Sequence, residues 1–150
     1  MDDITYCSGK LPCEDELFGL YGSLGWTAYV DDMKSAMSGL RGSLAVYTAW
    51  ADGKLIGMLR LIGDGHTVAY VQDLLVEPGF QNRGIGSALM LMFFNQYGHV
   101  RQKVLLTDVK TPAAIRFYER LGFVVTGNVG CVAMIWIGGL TDGAAQAGKS

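Results

Sequence analysis

The residues best suited to chemistry lie in one stretch, residues 72–87, where a strand-like run gives way to a helix-like one. Within it, Gln81-Asn82-Arg83-Gly84-Ile85-Gly86-Ser87 places two glycines one residue apart, just ahead of an apolar helical pattern. The first amides of a helix have no intrahelical acceptor and carry the positive end of its dipole, so a bound phosphate satisfies both. Glycines at 84 and 86 remove side chains that would hold a pyrophosphate away, and Arg83 adds positive charge at the rim. A plainer reading stands beside this one: Asn82 caps the helix and the glycines only make a tight turn. Just upstream, Gln72 and Asp73 are an unusual polar pair in an otherwise apolar strand, and strand alternation points them to opposite faces.

Two other phosphate loops fit less well. A Walker A loop needs a lysine after its last glycine, and Gly86 is followed by Ser87. In the dinucleotide fingerprint the third small position would be Leu89, which would hold the helix off the strand, although Asp108 stands at a suitable distance for a ribose.

The elements that position this segment read as follows. Residues 4–7 are a short strand and residues 14–20 a helix, then residues 23–30 form a loop holding Trp26 and Tyr29. Asp31 or Asp32 caps a second helix carrying Met33, Met37 and Leu40, ended by Gly42. Strands at 44–50 and 54–62 flank Asp52-Gly53, a hairpin signal, and Asp64-Gly65 turns the chain into a third strand at 67–76. Ile85, Ala88, Leu89, Met92 and Phe93 share one helical face, with Leu91 and Phe94 making much of the rest apolar. This predicts a deeply buried helix to about Tyr97, capped by Gly98. A strand at 104–109 follows, reached by a βαβ crossover and so parallel to the third strand. Thr111-Pro112 opens another helix, Gly122 closes it, and strands at 123–126 and 131–137 complete the sheet. The class is α/β, or α+β, with a single domain over 1–138 and a flexible tail over 139–150.

Composition narrows the function. Of 150 residues, 21 are glycine but only 3 are proline, without a three-residue period, which excludes a collagen; half the residues are hydrophobic, which excludes disorder. A net charge of −2 with no Lys/Arg run gives no footprint for nucleic acid and mildly favours a cationic substrate. Cys7, Cys13 and Cys131 lack the spacing of a metal site or a disulfide framework, so no metal is expected and a reducing cytoplasm fits. The start of the chain lacks a signal-peptide pattern, and the longest apolar stretch, about 131–140, is well short of the ~20 residues that span a bilayer, so no membrane association is expected.

Two motifs together resemble one family. Gln81-Asn82-Arg83-Gly84-Ile85-Gly86 follows the pattern Gln/Arg-x-x-Gly-x-Gly/Ala, preceded by Leu74-Leu75-Val76-Glu77-Pro78 as Leu-x-Val-x-Pro. About thirty residues on, Phe117-Tyr118-Glu119-Arg120-Leu121-Gly122-Phe123 stands as Phe-Tyr-Glu-x-x-Gly-Phe. In this the chain is similar to the GNAT superfamily of acyl-CoA-dependent N-acyltransferases, over about residues 54–137. The resemblance implies a mixed, mostly antiparallel sheet of six to seven strands flanked by helices, with a splayed parallel pair at the acyl-CoA site. It implies that pantetheine pairs with the backbone of Leu74, Leu75 and Val76, and that the pyrophosphate meets the amides of Gln81, Asn82, Arg83, Gly84, Ile85, Gly86 and Ser87. Tyr118 occupies the family's tyrosine position, as acid for the departing thiolate. Thr111 stands where many relatives have Asn, which puts in question any contact made there to the thiol end of the cofactor.

The activity implied is N-acetyl transfer from acetyl-CoA to a small-molecule amine by direct attack in a ternary complex. Protein or peptide acetylation and a non-catalytic acyl-CoA sensor are the alternatives. Asp73 would take the proton of the amine or bind its ammonium, or else only bond a neighbouring loop. Trp26 and Tyr29 would wall an aromatic or cationic acceptor pocket. A homodimer is expected by resemblance alone.

Overall fold

The computed structural model describes residues 3–137, so the tail expected at 139–150 lies outside the described residues. It comprises two compact units, the first ending at Leu105 and the second beginning at Leu106. The first unit holds five strands, β1 (Ile4–Ser8), β2 (Ala45–Ala51), β3 (Lys54–Gly63), β4 (Val68–Val76) and β5 (Gln102–Leu105). They lie side by side in sequence order, antiparallel from β1 to β4 and parallel between β4 and β5.

Local chemistry sets the turns between them. Asp52 and Gly53 both take left-handed backbone, φ 49° and 78°, which matches the twist of the β2 and β3 strands they join. At the next turn Asp64 accepts from the backbone N–H of His66 (2.8 Å), Thr67 (2.7 Å) and Val68 (3.1 Å), and from the Thr67 hydroxyl. Those bonds, the hydroxyl's first, hold its carboxyl well below the usual carboxylate range.

Helices cover the sheet. α1 (Glu14–Ser23), the single-turn α2 (Thr27–Val30) and α3 (Met33–Arg41) precede β2, and α4 (Ile85–Tyr97) joins β4 to β5. α2 lies inside the stretch expected to be a loop. At the start of α3 Asp32 is the cap, accepting from Ser35 N at 3.1 Å. Leu17, Leu20 and Tyr21 of α1 and Leu40 of α3 pack with Val46, Trp50, Met58 and Leu75 of the sheet in one buried cluster. α4 buries Ile85, Leu89, Met90 and Phe93, and leaves Leu91 57% exposed, so the helix has a solvent face that its apolar composition concealed. Gly98 ends it without the left-handed turn expected of a glycine cap, at φ −57°.

The second unit holds α5 (Pro112–Arg120), which begins at Thr111 with proline in its first turn and is followed by Gly122 at φ 97°. Here the strand count falls short of the six to seven expected. Residues 123–126 form no strand among the described residues; the chain folds into a single 3-10 turn at Thr126–Val129. Asn128 N donates to Val125 O and Cys131 N to Thr126 O, so the backbone groups a ladder would use are spent locally, and Gly130 at φ 77° leads out of the turn. Residues 131–137 form no strand, and the strand expected at 104–109 is β5, Gln102–Leu105.

Candidate acyl-CoA and acceptor site

The site begins with an irregularity. Arg60 pairs with Asp73, but the next residue of β3, Leu61, pairs with Val71, so Gln72 is an extra residue on β4. A bulge of this kind leaves one residue without a ladder partner and breaks the alternation of faces. The expectation that Gln72 and Asp73 point to opposite faces is therefore overturned: both reach the same aromatic group. Asp73 Oδ2 accepts from the Tyr21 hydroxyl at 3.1 Å, and Gln72 Nε2 donates to the Tyr29 hydroxyl at 3.2 Å. Tyr21 and Tyr29 stack with ring centroids 4.7 Å apart and planes at 11°, and Trp26 stacks on Tyr21 at 5.8 Å and 20°. Trp26, Tyr29 and Asp73, proposed from sequence as the acceptor side, are thus drawn together through Tyr21.

Arg60 completes the group. Its Nε donates to Asp73 Oδ2 at 2.7 Å, an ion pair with the carboxylate fully buried. Asp73 Oδ1 is also buried and has no hydrogen-bond partner among the described residues. Burial pushes the Asp73 carboxyl above its ordinary value, against the opposing pull of Arg60 and Tyr21. Burial by itself would lower the Arg60 guanidinium, but the adjacent Asp73 more than offsets it and holds it above its ordinary value. Tyr21 and Tyr29 are both raised, by burial first and then by the Asp73 charge, so both hydroxyls keep their protons. Arg60 and Tyr21 had no part in the sequence reading of the site. The available signal was an arginine flanked by Leu59 and Leu61 in an apolar strand, one hairpin away from the lone carboxylate of the next strand.

The cofactor side follows directly along the chain. β5 pairs with β4 only over Val68–Val71, so among the described residues no strand covers the outer edge of β4 from Gln72 to Val76. That free edge includes Leu74, Leu75 and Val76. Glu77 N donates to Ile56 O at 2.8 Å, holding the end of β4 to β3, and Lys54 Nζ lies 2.6 Å from Glu77 Oε1. Gln81 Nε2 then reaches back to Val76 O at 3.0 Å, fastening the loop to the strand end. Asn82 (φ 60°) and Gly84 (φ 81°) both take left-handed backbone. Gly84 stands at the N-cap of α4, its carbonyl accepting from Ala88 N at 3.0 Å, and no side chain caps the helix. Asn82 is therefore not the cap, and the amides of Ile85, Gly86 and Ser87 open the helix without a side-chain acceptor. The Arg83 guanidinium lies 5.0 Å from the centre of the Phe80 ring.

The pyrophosphate of an acyl-CoA fits these residues. The loop presents consecutive amides at an uncapped helix start, Gly84 has no atom within 4 Å of its Cβ position, and the strand edge beside it has backbone groups to pair. Gly57 lets α4 approach the sheet, since a Cβ there would meet Ile85 Cγ2 at 3.1 Å and Leu75 O at 3.2 Å.

In the second unit, Thr111 is exposed and makes no side-chain cap bond at the start of α5. Tyr118 packs edge-on to Phe117 and Phe123, at 5.1 and 5.9 Å between centroids, and desolvation pushes its hydroxyl up to about 12. Among the described residues there is no metal-ligating cluster and no helix long and apolar enough to cross a membrane.

A mixed sheet with a parallel pair that stops short, a glycine loop at the exposed strand end and a helix behind it define an acyltransferase fold. Residues 42–125 match the family model described as an acetyltransferase (GNAT) domain, and the chain belongs to that family. A protein of Gracilaria tenuistipitata var. liui, named an uncharacterized N-acetyltransferase ycf52, is 33% identical over 84 residues. That match takes in 55% of this chain and 44% of the relative, so the chain spans less than half of the relative's length there. The solved structure of a GNAT-family acetyltransferase from Streptococcus pneumoniae TIGR4 is 33% identical, with a TM-score of 0.79 over 90% of this chain and 98% of that one. The aminoglycoside N-acetyltransferase AAC(6')-Iy, solved in complex with CoA, shares the fold at 19% identity, with a TM-score of 0.69 over 91% of this chain and 95% of its own.

Proposed function

We propose that the protein transfers the acetyl group of acetyl-CoA to the amine of a small-molecule acceptor, by direct attack in a ternary complex. The observation that carries this reading is the free edge of β4 leading straight into a left-handed loop and an uncapped helix start. Acetyl-CoA, when bound, supplies an activated acyl thioester. Leu74, Leu75 and Val76 offer backbone groups to its pantetheine amides, and a backbone amide of Leu74 or Leu75 polarises the thioester carbonyl. Gln81, Asn82, Arg83, Gly84, Ile85, Gly86 and Ser87 hold the pyrophosphate, and Thr111 is a further cofactor-binding residue.

An alkyl amine with a pKa near ~10 is only about 0.1% neutral at pH 7, so loss of its proton is part of the chemistry. Asp73 is the carboxylate for that proton or for the ammonium, and burial raises its pKa, which favours uptake of the proton. Trp26 and Tyr29 wall the acceptor, and Tyr118 protonates the departing thiolate. One domain over 1–138, a homodimer and a cytoplasmic setting complete the proposal, the last in keeping with three free cysteines.

The test is thiol release from acetyl-CoA over polyamines, arylalkylamines, amino sugars, amino acids and peptides. Release with a small amine is the expected result. Release with peptides only would reassign the acceptor to protein, and acetyl-CoA binding without release under any amine would make the chain a sensor. No thermal shift with acetyl-CoA, and no change on Gly86→Trp, would overturn the reading altogether.

A further inference from the structure

We propose that Arg60 and Tyr21 are positioning residues for the acceptor side of the site, holding Asp73 on the sheet face where the bulge sets Gln72 against Tyr29. The inference rests on the acyl-transfer reading above. Arg60 and Tyr21 both spend their polar groups on Asp73, Gly39 and Ser43, so both act through the groups they hold.

The bulge supplies the reason that something must be held. With Gln72 outside the ladder, the local register of β4 is interrupted where Gln72 and Asp73 both meet the Tyr21–Tyr29 stack, so Asp73 depends on its side-chain partners for its place. Arg60 stands directly across from Asp73 and fixes its Oδ2 at 2.7 Å. The same guanidinium reaches into the end of α3, where Nη1 donates to Gly39 O at 3.3 Å and to Ser43 Oγ at 3.4 Å. A single planar fork therefore ties the bulge of β4 to the helix layer, a geometry that an ammonium cannot copy.

Tyr21 carries the constraint to the acceptor wall. Its hydroxyl donates to the oxygen Arg60 holds, and its ring is the buried member of the stack with Tyr29 and Trp26. Gln72, displaced by the bulge, closes the circuit on the Tyr29 hydroxyl. Moving Asp73 would thus move Tyr21, and with it two of the rings proposed to face the acceptor. The groups facing Asp73 are Arg60 from β3, Tyr21 from α1 and, through its charge, Tyr29 from α2. The competing reading is an ion pair that only stabilises the core, a role that apolar residues often fill equally well.

The experiment uses the full chain and the polyamine, arylalkylamine, amino sugar or amino acid that gives the fastest thiol release. Tyr21→Phe keeps the ring and removes only the hydroxyl. It is expected to lower kcat/KM for the amine about tenfold or more, the effect of losing a hydrogen bond to a charged group, while KM for acetyl-CoA stays within about twofold. It should also move the rising limb of the pH profile to higher pH, because a donor to the carboxylate form of Asp73 is gone. Arg60→Lys should recover part of the activity lost in Arg60→Met, with circular dichroism and thermal melting confirming that the variants fold. Folded Tyr21→Phe and Arg60→Lys proteins with wild-type constants and a wild-type pH profile would overturn the inference, as would losses falling equally on acetyl-CoA. A wild-type protein that releases no thiol with any amine would instead overturn the acyl-transfer reading, and this inference with it.

Discussion

Burial acts on Tyr118 and Asp73 in the same direction, raising both, while the roles proposed for them are opposite, one giving a proton and the other taking one. Tyr118 is pushed up to about 12, so its phenol stays protonated at physiological pH and stays able to donate a proton. Tyr118→Phe is expected to lower kcat by about 10²-fold with KM for acetyl-CoA nearly unchanged, the cost of losing a positioned acid. The same value predicts that no alkaline limb arises from Tyr118 until the pH approaches about 12. For Asp73 a raised pKa means that the folded state binds its proton more tightly than the unfolded chain does. Its contribution to stability is therefore complete below the ordinary carboxylate value of 3.8 and is lost as pH rises through the raised folded value. Urea unfolding at several pH values should show the difference between wild type and Asp73→Asn shifting in favour of the Asn protein as the pH rises. A constant difference would mean that Asp73 titrates alike in the folded and unfolded chain.

At the scale of elements, α4 and β4 are set by two glycines with opposite constraints. Gly57 has ordinary backbone but no room: a Cβ would press on Ile85 Cγ2 and on the Leu75 carbonyl, which cannot move aside. Gly57→Ala should cost about 1–3 kcal/mol, an overpacking penalty, and should weaken acetyl-CoA binding by displacing the start of α4. Gly84 has room, with no atom near its Cβ position, but its φ of 81° strains any other residue, so Gly84→Ala should cost about 1–2 kcal/mol for a conformational reason. Gly79→Ala, with neither constraint, should be near neutral in the same denaturant titration. The sequence made part of this legible. Periodicity and the Asp-Gly turns located β1 to β4 and α4, because those signals are local. The bulge was not legible, since nothing in Val71-Gln72-Asp73 states which residue leaves the ladder; that depends on Arg60 across the strand and on Tyr21 from a helix fifty-two residues earlier. The two motifs single out the loop proposed for the cofactor, and Trp26, Tyr29 and Asp73, proposed for the acceptor, are brought together in the structure, but the tyrosine and arginine joining them were not legible. Residues 123–126 and 131–137 read as strands from their apolar runs, yet Thr126-Gly127-Asn128 favours a turn, and its hydrogen bonds close locally.

Among the described residues, the proposed cofactor side has a strand edge lacking a strand partner and a helix start lacking a side-chain cap. Leaving such groups to solvent costs little, but it forgoes the hydrogen bonds that a buried edge would make. An acyl-CoA that supplies them binds the folded chain and not the unfolded one, so the binding free energy adds to stability. At a concentration a hundredfold above its dissociation constant the ligand should stabilise the protein by about 2.7 kcal/mol. For a chain of this length that corresponds to a rise in Tm of roughly 5–10 °C. Differential scanning fluorimetry against acetyl-CoA, CoA and pantetheine separates the two parts of the site. CoA should act nearly as acetyl-CoA does, because strand edge and loop meet the same atoms in both. Pantetheine, which lacks the pyrophosphate, should lose most of the shift, and it should be indifferent to Gly84→Ala. Equal shifts from pantetheine and CoA would show that the loop contributes no binding, and would leave the two glycines of Gly84-Ile85-Gly86 with the structural role alone.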